Sequence, residues 1–221
     1  MAGEAEETVE FFCYGPGADL DVVTAEIGHP PIAGKPAVLH GFRLGIQGVE
    51  NIPDKQMPVP GHPEKMLPDT ARDIIGESWG PGFEMYVVRE GEGEVRGTVW
   101  TIKKSDLPPI EDWELVDFGW YSTVRGGVTL ENGERRDVWT IAVKHQSVRR
   151  EVDGMNYDNW LGRGEEFKKE FIRHVEENYK RFAARQKEGK GLEAGTPITF
   201  SKEEGQSETP SGGSKSKTFG P

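Results

Sequence analysis

The stretch IEDWELVDFGWY, residues 110–121, sets a carboxylate among aromatic rings: Glu114 follows Trp113, and Phe118, Trp120 and Tyr121 come close behind. Rings at this density build the wall of a core or of a pocket. A carboxylate in such a wall is turned out to water, paired, or held protonatable with a raised pKa. Taken alone, Glu114 reads as a solvated surface residue. In a dry wall it becomes a proton carrier near neutral pH, which is what general acid–base chemistry requires.

A second stretch, FFCYGPGAD at residues 11–19, runs from a strand through glycines into a helix start. Glycines let backbone N–H groups converge on a ligand, and a following helix adds its positive end. Tyr14, Gly15, Pro16, Gly17, Ala18 and Asp19 are therefore candidates for holding a carboxylate or a developing oxyanion. By itself such a junction reads as a turn. Tyr121 reads either as a pocket hydrogen-bonding group or as an interior aromatic.

Other chemistries lack their signatures. The five histidines stand at 29, 40, 62, 145 and 174, without ligand spacing, and Cys13 is the single cysteine, so a structural zinc site is not expected. Cys13 reads as a small buried strand residue rather than a reactive thiol. No G-x-S-x-G is present, and GPG and GEGEVRG lack the spacing of a dinucleotide or phosphate loop. No metal or organic cofactor is expected.

The elements that must position these groups follow from patterning. VEFFCY is a short buried strand, and Asp19 caps a helix over LDVVTAEI that ends at Gly28. AVLHGFRLGI is a second strand with Gly41 as a bend. Residues 48–82 carry many prolines, which preclude a continuous helix or central strand; the segment reads as a lid or an insertion. FEMYVVRE and VRGTVWTI, separated by GEGE, read as a hairpin. Ser105 is the expected N-cap of a short helix over DLPPIEDWEL. YSTVRGGVTL and DVWTIAV flank Asn132-Gly133, a strong turn signal, and form a second hairpin. A long helix covers residues 164–185, with Phe167, Phe171, Val175 and Phe182 on one core-facing stripe. The expected architecture is α+β: a mostly antiparallel sheet or small barrel of about six strands, flanked by a few helices.

Composition bounds the partners. The chain has 221 residues, 34% hydrophobic, with a net charge of −11 and a pI near 5.0, which argues against a nucleic-acid partner. No apolar run approaches membrane-span length, and the N-terminus lacks a secretory pattern, so a cytoplasmic protein with no membrane partner is expected. Residues 1–8 read as a frayed start, 9–185 as one domain, and 186–221, rich in Gly, Ser, Lys and Glu, as a disordered tail.

Together, the order and spacing of these motifs resemble the γ-glutamyl cyclotransferase-like superfamily, which includes the AIG2-like proteins. The matching residues begin with Phe11-Phe12-Cys13-Tyr14-Gly15-Pro16-Gly17 and Leu39-His40-Gly41-Phe42-Arg43-Leu44. They continue with Gly97-Thr98-Val99-Trp100, Ser105-Asp106-Leu107, Ile110-Glu111-Asp112-Trp113-Glu114-Leu115 with Tyr121, and Val138-Trp139-Thr140-Ile141. By this resemblance Glu114 is the general acid/base, and the loop from Tyr14 to Asp19 binds a γ-glutamyl group through backbone amides. The reaction implied is attack of the substrate's α-amine on its own γ-carbonyl, giving 5-oxoproline and a free amine. Trp113, Phe118 and Trp120 are the rings expected to tune Glu114, with Arg43 or Arg125 as further donors and Tyr121 as a pocket hydrogen bonder. The implied partner is a small γ-glutamyl peptide, amine or glutathione conjugate, in glutathione or secondary metabolism. Two departures stand out. Pro16 removes a backbone donor, and Leu115 replaces the glycine that commonly follows the catalytic Glu. Both favour an alternative reading, a non-catalytic protein that binds such a ligand on the same fold.

Overall fold

The computed structural model describes residues 6–52, 54, 56–59, 62–70, 72–73, 84–116, 121–143 and 148–187. Phe118, Trp120 and all of the expected tail beyond residue 187 lie outside the described residues.

Strand β1 (Thr8–Cys13) leads through a 3-10 turn, Gly15–Ala18, into helix α1 (Leu20–Ile27). Asp19 caps α1 by accepting from the Asp21 N–H at 2.9 Å, and Gly28 ends it in the left-handed conformation at φ 77°. β2 (Ala33–Gly48) and β5 (Glu84–Lys103) then pair antiparallel along nearly their whole length.

That pairing corrects the expected hairpin at GEGE. The chain does not turn at Gly91–Glu94, because β2 offers a continuous partner on one side. The glycines instead relieve crowding within the ribbon: Gly41, at φ 78°, marks the register shift between His40 and Phe42, and a Cβ at Gly93 would lie 2.7 Å from the Phe42 carbonyl oxygen.

Between them, part of the 48–82 segment forms a separate two-stranded sheet, β3 (Gln56–Val59) with β4 (His62–Thr70). Its prolines do keep it out of the main sheet. Its stem is tied down by Ile52, which is fully buried and whose carbonyl accepts from Arg72 Nε at 3.0 Å.

The main sheet runs β5–β1–β7–β6–β2–β8, and the further β5–β2 pairing closes five strands into a barrel. β6 (Tyr121–Leu130) and β7 (Arg135–Val143) form the expected hairpin, with Gly133 at φ 82° in its turn. β1 lies parallel to β7, and β8 (Arg150–Val152) adds to the edge of β2. Alternation along β1 divides the core. Phe12 points into the barrel with Leu39, Val88, Val99, Val128 and Val138, while Phe11 and Cys13 face Val23 and Ile27 of α1 and Ile110 of the next helix. No helix among the described residues is long and apolar enough to cross a membrane.

Helix α2 (Leu107–Trp113) follows β5 through a 3-10 turn, Lys104–Asp106. Asp106, not Ser105, precedes the helix; its carboxylate accepts from the Lys103 N–H at 2.9 Å and also meets His29 at 3.2 Å. Ser105 sits inside the turn, where it cannot cap. Glu114 is the C-cap of α2, and Leu115 follows at φ 54°, a left-handed position that glycine fills with least strain. The last helix, α3 (Glu165–Lys187), runs two residues beyond the end read from the sequence.

Leu115 thus holds a strained backbone while its side chain packs on the outer core. Leu115→Gly and Leu115→Ala both remove that packing, but only glycine relieves the strain, by about 1–2 kcal/mol. Chemical denaturation should therefore find Leu115→Gly more stable than Leu115→Ala, the reverse of the usual helix-propensity order. A more stable Ala variant would show that the left-handed backbone carries no strain.

Candidate active site

One cavity of about 140 Å³ gathers most of the residues singled out in the sequence. Glu114 enters it from the end of α2, Tyr14, Pro16 and Gly17 from the loop after β1, and Tyr121 from the start of β6. The rest of the wall is largely aromatic: Tyr86 of β5, Trp113, Trp160, and Phe167 and Phe171 of α3. Phe171 ties this wall together, meeting Trp113 edge-on at 5.7 Å and Trp160 edge-on at 5.6 Å between ring centroids. The Phe167–Phe171 part of the helical stripe therefore faces the cavity; only farther along, at Val175, is it fully buried.

Glu114 keeps some accessible surface, but that surface opens on the cavity and protein encloses the carboxyl. Burial pushes its pKa from the ordinary value of 4.5 to about 7. Of the three states open to a carboxylate in an aromatic wall, the geometry gives the protonatable one. Trp113 is among the rings around it, as expected; Phe118 and Trp120 lie outside the described residues. The neighbouring carboxylates are spent elsewhere. Glu111 accepts from Thr123 Oγ1 at 2.6 Å, and Asp112 binds Asn178 at 3.2 Å and Arg185 at 2.6 Å, locking α2 onto α3.

The loop after β1 differs from the sequence expectation. Gly15 does not line the cavity; its N–H donates to the Tyr157 hydroxyl at 3.1 Å, which in turn donates to the Arg96 carbonyl at 2.8 Å. Pro16 has no N–H, and the 3-10 winding directs the next amides back along the turn, as in Asp19 N–H to Pro16 carbonyl at 3.0 Å. Ala18 faces a more open depression beside Pro36 and Arg96, and Asp19 caps α1 and pairs with Lys168 at 2.6 Å. The loop contributes shape rather than a cradle of amides. Arg43 reaches the Glu92 carbonyl and Arg125 stacks on Trp139, and neither lines the cavity.

Donors come from other places. The Tyr121 hydroxyl meets the sulfur of Met85 at 3.0 Å, a weak acceptor that a ligand oxygen can displace. The Asn159 side chain lines the cavity and makes no hydrogen bond among the described residues. Tyr14 is less available, since its hydroxyl donates to the Ile141 carbonyl and accepts from the Val88 N–H, both at 3.2 Å. Burial, with the charges of Glu26 and Glu114, pushes the Cys13 thiol well above its ordinary pKa, so it is not a thiolate nucleophile.

Two parts of the site were missed in the sequence. Residues 158–161, a turn in which Asp158 accepts from the Trp160 N–H at 2.9 Å, supply Asn159, Trp160 and Leu161. Leu161, like Leu115, is a non-glycine residue at φ 54°, so both left-handed leucines line the cavity. The second part is Glu26, another buried carboxyl group, on α1. Among the described residues no cluster of His, Cys, Asp and Glu could hold a metal ion.

No family model and no curated protein matches the chain. Among solved structures it is similar to one titled γ-glutamyl cyclotransferase, at 14% identity and a TM-score of 0.48, over 76% of this chain and 99% of that one. A glutathione-specific γ-glutamyl cyclotransferase from yeast is similar at 12% identity and a TM-score of 0.33, over 80% and 97% of the two chains. A solution structure of an Arabidopsis thaliana protein is similar at 18% identity and a TM-score of 0.42, over 85% and 98%.

The raised Glu114 pKa has a defined sign in stability. The proton is bound more tightly in the folded chain, so its contribution is full below about pH 4.5 and is lost as pH rises through about 7. Relative to Glu114→Gln, the wild type should lose about 3 kcal/mol of unfolding free energy between pH 4.5 and pH 8. Urea denaturation of both proteins across that range measures it. A pH-independent difference would mean that Glu114 titrates like an exposed carboxylate.

Proposed function

We propose that the protein is a γ-glutamyl cyclotransferase with Glu114 as its general acid/base. The observation that carries this reading is the placement of the Glu114 carboxyl in an aromatic cavity shared with Tyr14, Pro16, Gly17 and Tyr121, where burial raises its pKa to about 7. These are residues through which the sequence resembles that superfamily.

Ionised Glu114 removes a proton from the substrate's α-ammonium, and the freed amine attacks the γ-carbonyl carbon. The ring nitrogen then carries two protons. Glu114 gives its proton to the departing nitrogen as the C–N bond breaks, takes the second proton from the ring nitrogen, and passes it to the released amine. The products are 5-oxoproline and the amine as its ammonium ion, with Glu114 again ionised. A carboxyl near pH 7 is suited to both transfers, because it is neither too weak a base nor too weak an acid. The ring closes among atoms already tethered, so positioning supplies much of the acceleration. Tyr121 and Asn159 are the candidate donors to the oxyanion and to the substrate's carboxylate. The aromatic wall suits a released amine with an apolar or aromatic body, as in a conjugate from secondary metabolism.

Incubation with γ-glutamyl amino acids, γ-glutamyl amines, glutathione and S-substituted glutathiones, with 5-oxoproline as readout, tests the reaction. On whichever substrate is cyclised, Glu114→Gln should lower kcat by about two to four orders of magnitude with little change in affinity. Glu111→Gln should leave kcat near the wild-type value, and Asp112→Asn should lower stability rather than chemistry. Undiminished turnover by Glu114→Gln would overturn the assignment. Binding without product from any member would leave the ligand-binding alternative.

A further inference from the structure

Glu26 is the least accountable side chain in the fold. It is 5% exposed and lies on the cavity side of α1, one residue before the helix ends. Three effects disfavour a carboxylate there. Burial strips its water, Glu114 faces the same cavity, and the C-terminal end of a helix presents negative partial charge. Among the described residues nothing offsets them, for Glu26 makes no hydrogen bond or ion pair there. The third acidic residue of the lining, Glu84, differs in this respect, being paired at the rim with Arg149 at 2.5 Å. No Lys, Arg or His lines the cavity among the described residues.

A cavity whose described lining holds two unpaired carboxyls, no cation and a wall of rings fits a positive ligand. Rings attract an ammonium through their faces, and a desolvated carboxylate binds it strongly. We propose that Glu26 is the ammonium-binding group of this cavity, receiving a primary amine cation attached to an apolar or aromatic body. In the reaction proposed above, and resting on that reading, the ammonium is the substrate's α-amine: Glu26 holds it while Glu114 takes its proton. Glu26 is then the group that orients the nucleophile.

The titration is consistent with this placement. Burial first, and the Glu114 charge second, push Glu26 well above its ordinary pKa, so an entering ammonium replaces a proton on its carboxyl group. Cys13 of β1 and Glu114 beyond α2 are the titratable groups whose charges act with Glu26, and Glu114 and Tyr121 both act on Tyr14.

Calorimetry with tyramine and with its uncharged hydroxyl analogue, tyrosol, tests the site without requiring turnover. Wild-type protein at pH 7 should prefer tyramine by about tenfold or more, and Glu26→Gln should reduce the preference to about twofold or less. Binding of tyramine should also release protons, read as a dependence of the heat on buffer ionisation enthalpy. Glu26→Met keeps the volume and removes an unpaired polar group. It should lose the same preference while melting about 2–4 °C higher. A tyramine preference that survives either substitution, or none in the wild type, overturns the proposal. If no γ-glutamyl compound is cyclised but the tyramine preference stands and depends on Glu26, the reaction fails and the ammonium site does not.

Discussion

Keeping a carboxyl group protonatable at neutral pH requires stripping it of most of its water, and much of this fold serves that end. Glu114 is delivered by a helix of only 7 residues, too short to be stable alone. Its position is therefore set by neighbours: Ile110 packs into the core beneath α1, and Asp112 is clamped by Asn178 and Arg185 of α3. Removing the clamp would loosen α2 against α3 at a cost in stability. The long C-terminal helix is thus part of the site twice over, as clamp through Asn178 and Arg185 and as wall through Phe167 and Phe171.

Strain and unpaired carboxyl groups collect at this same place. Leu115 and Leu161 hold left-handed backbones on the cavity wall, and Glu26 is buried without a partner among the described residues. Features of this kind persist where the surrounding structure over-determines them. Here the closed barrel does so: β5 and β2 fix Met85 and Tyr86 against the loop after β1, and Tyr157 ties Gly15 to the barrel through its hydroxyl. The leucine at 115 also dries the carboxyl more than glycine would, so strain and a raised pKa accompany each other.

Much of the scaffold was legible in the sequence because its signals are local. Alternation in β1, the Asp19 cap with Gly28, and Asn132-Gly133 each act within a few residues, and each forms the element it implies. The GEGE segment misled because glycines mark both turns and crowded strands, and only the partner strand decides between them. Glu114 was found through its aromatic context. Glu26 was not, although its signal was present: it lies among Val22, Val23, Ala25 and Ile27, apolar positions that mark this part of α1 as buried. Asn159 and Trp160 had no such signal. They reach the cavity from a turn without periodicity, through contacts far apart in sequence.

The account rests on a carboxyl that changes charge near pH 7 inside the aromatic cavity. Carbon-13 NMR of the glutamate side-chain carboxyls, followed from pH 3 to pH 9, observes that ionisation directly. The account predicts a resonance titrating at about 7, absent from Glu114→Gln. A spectrum in which the Glu114 carboxyl has already ionised near its ordinary value of 4.5 would contradict it.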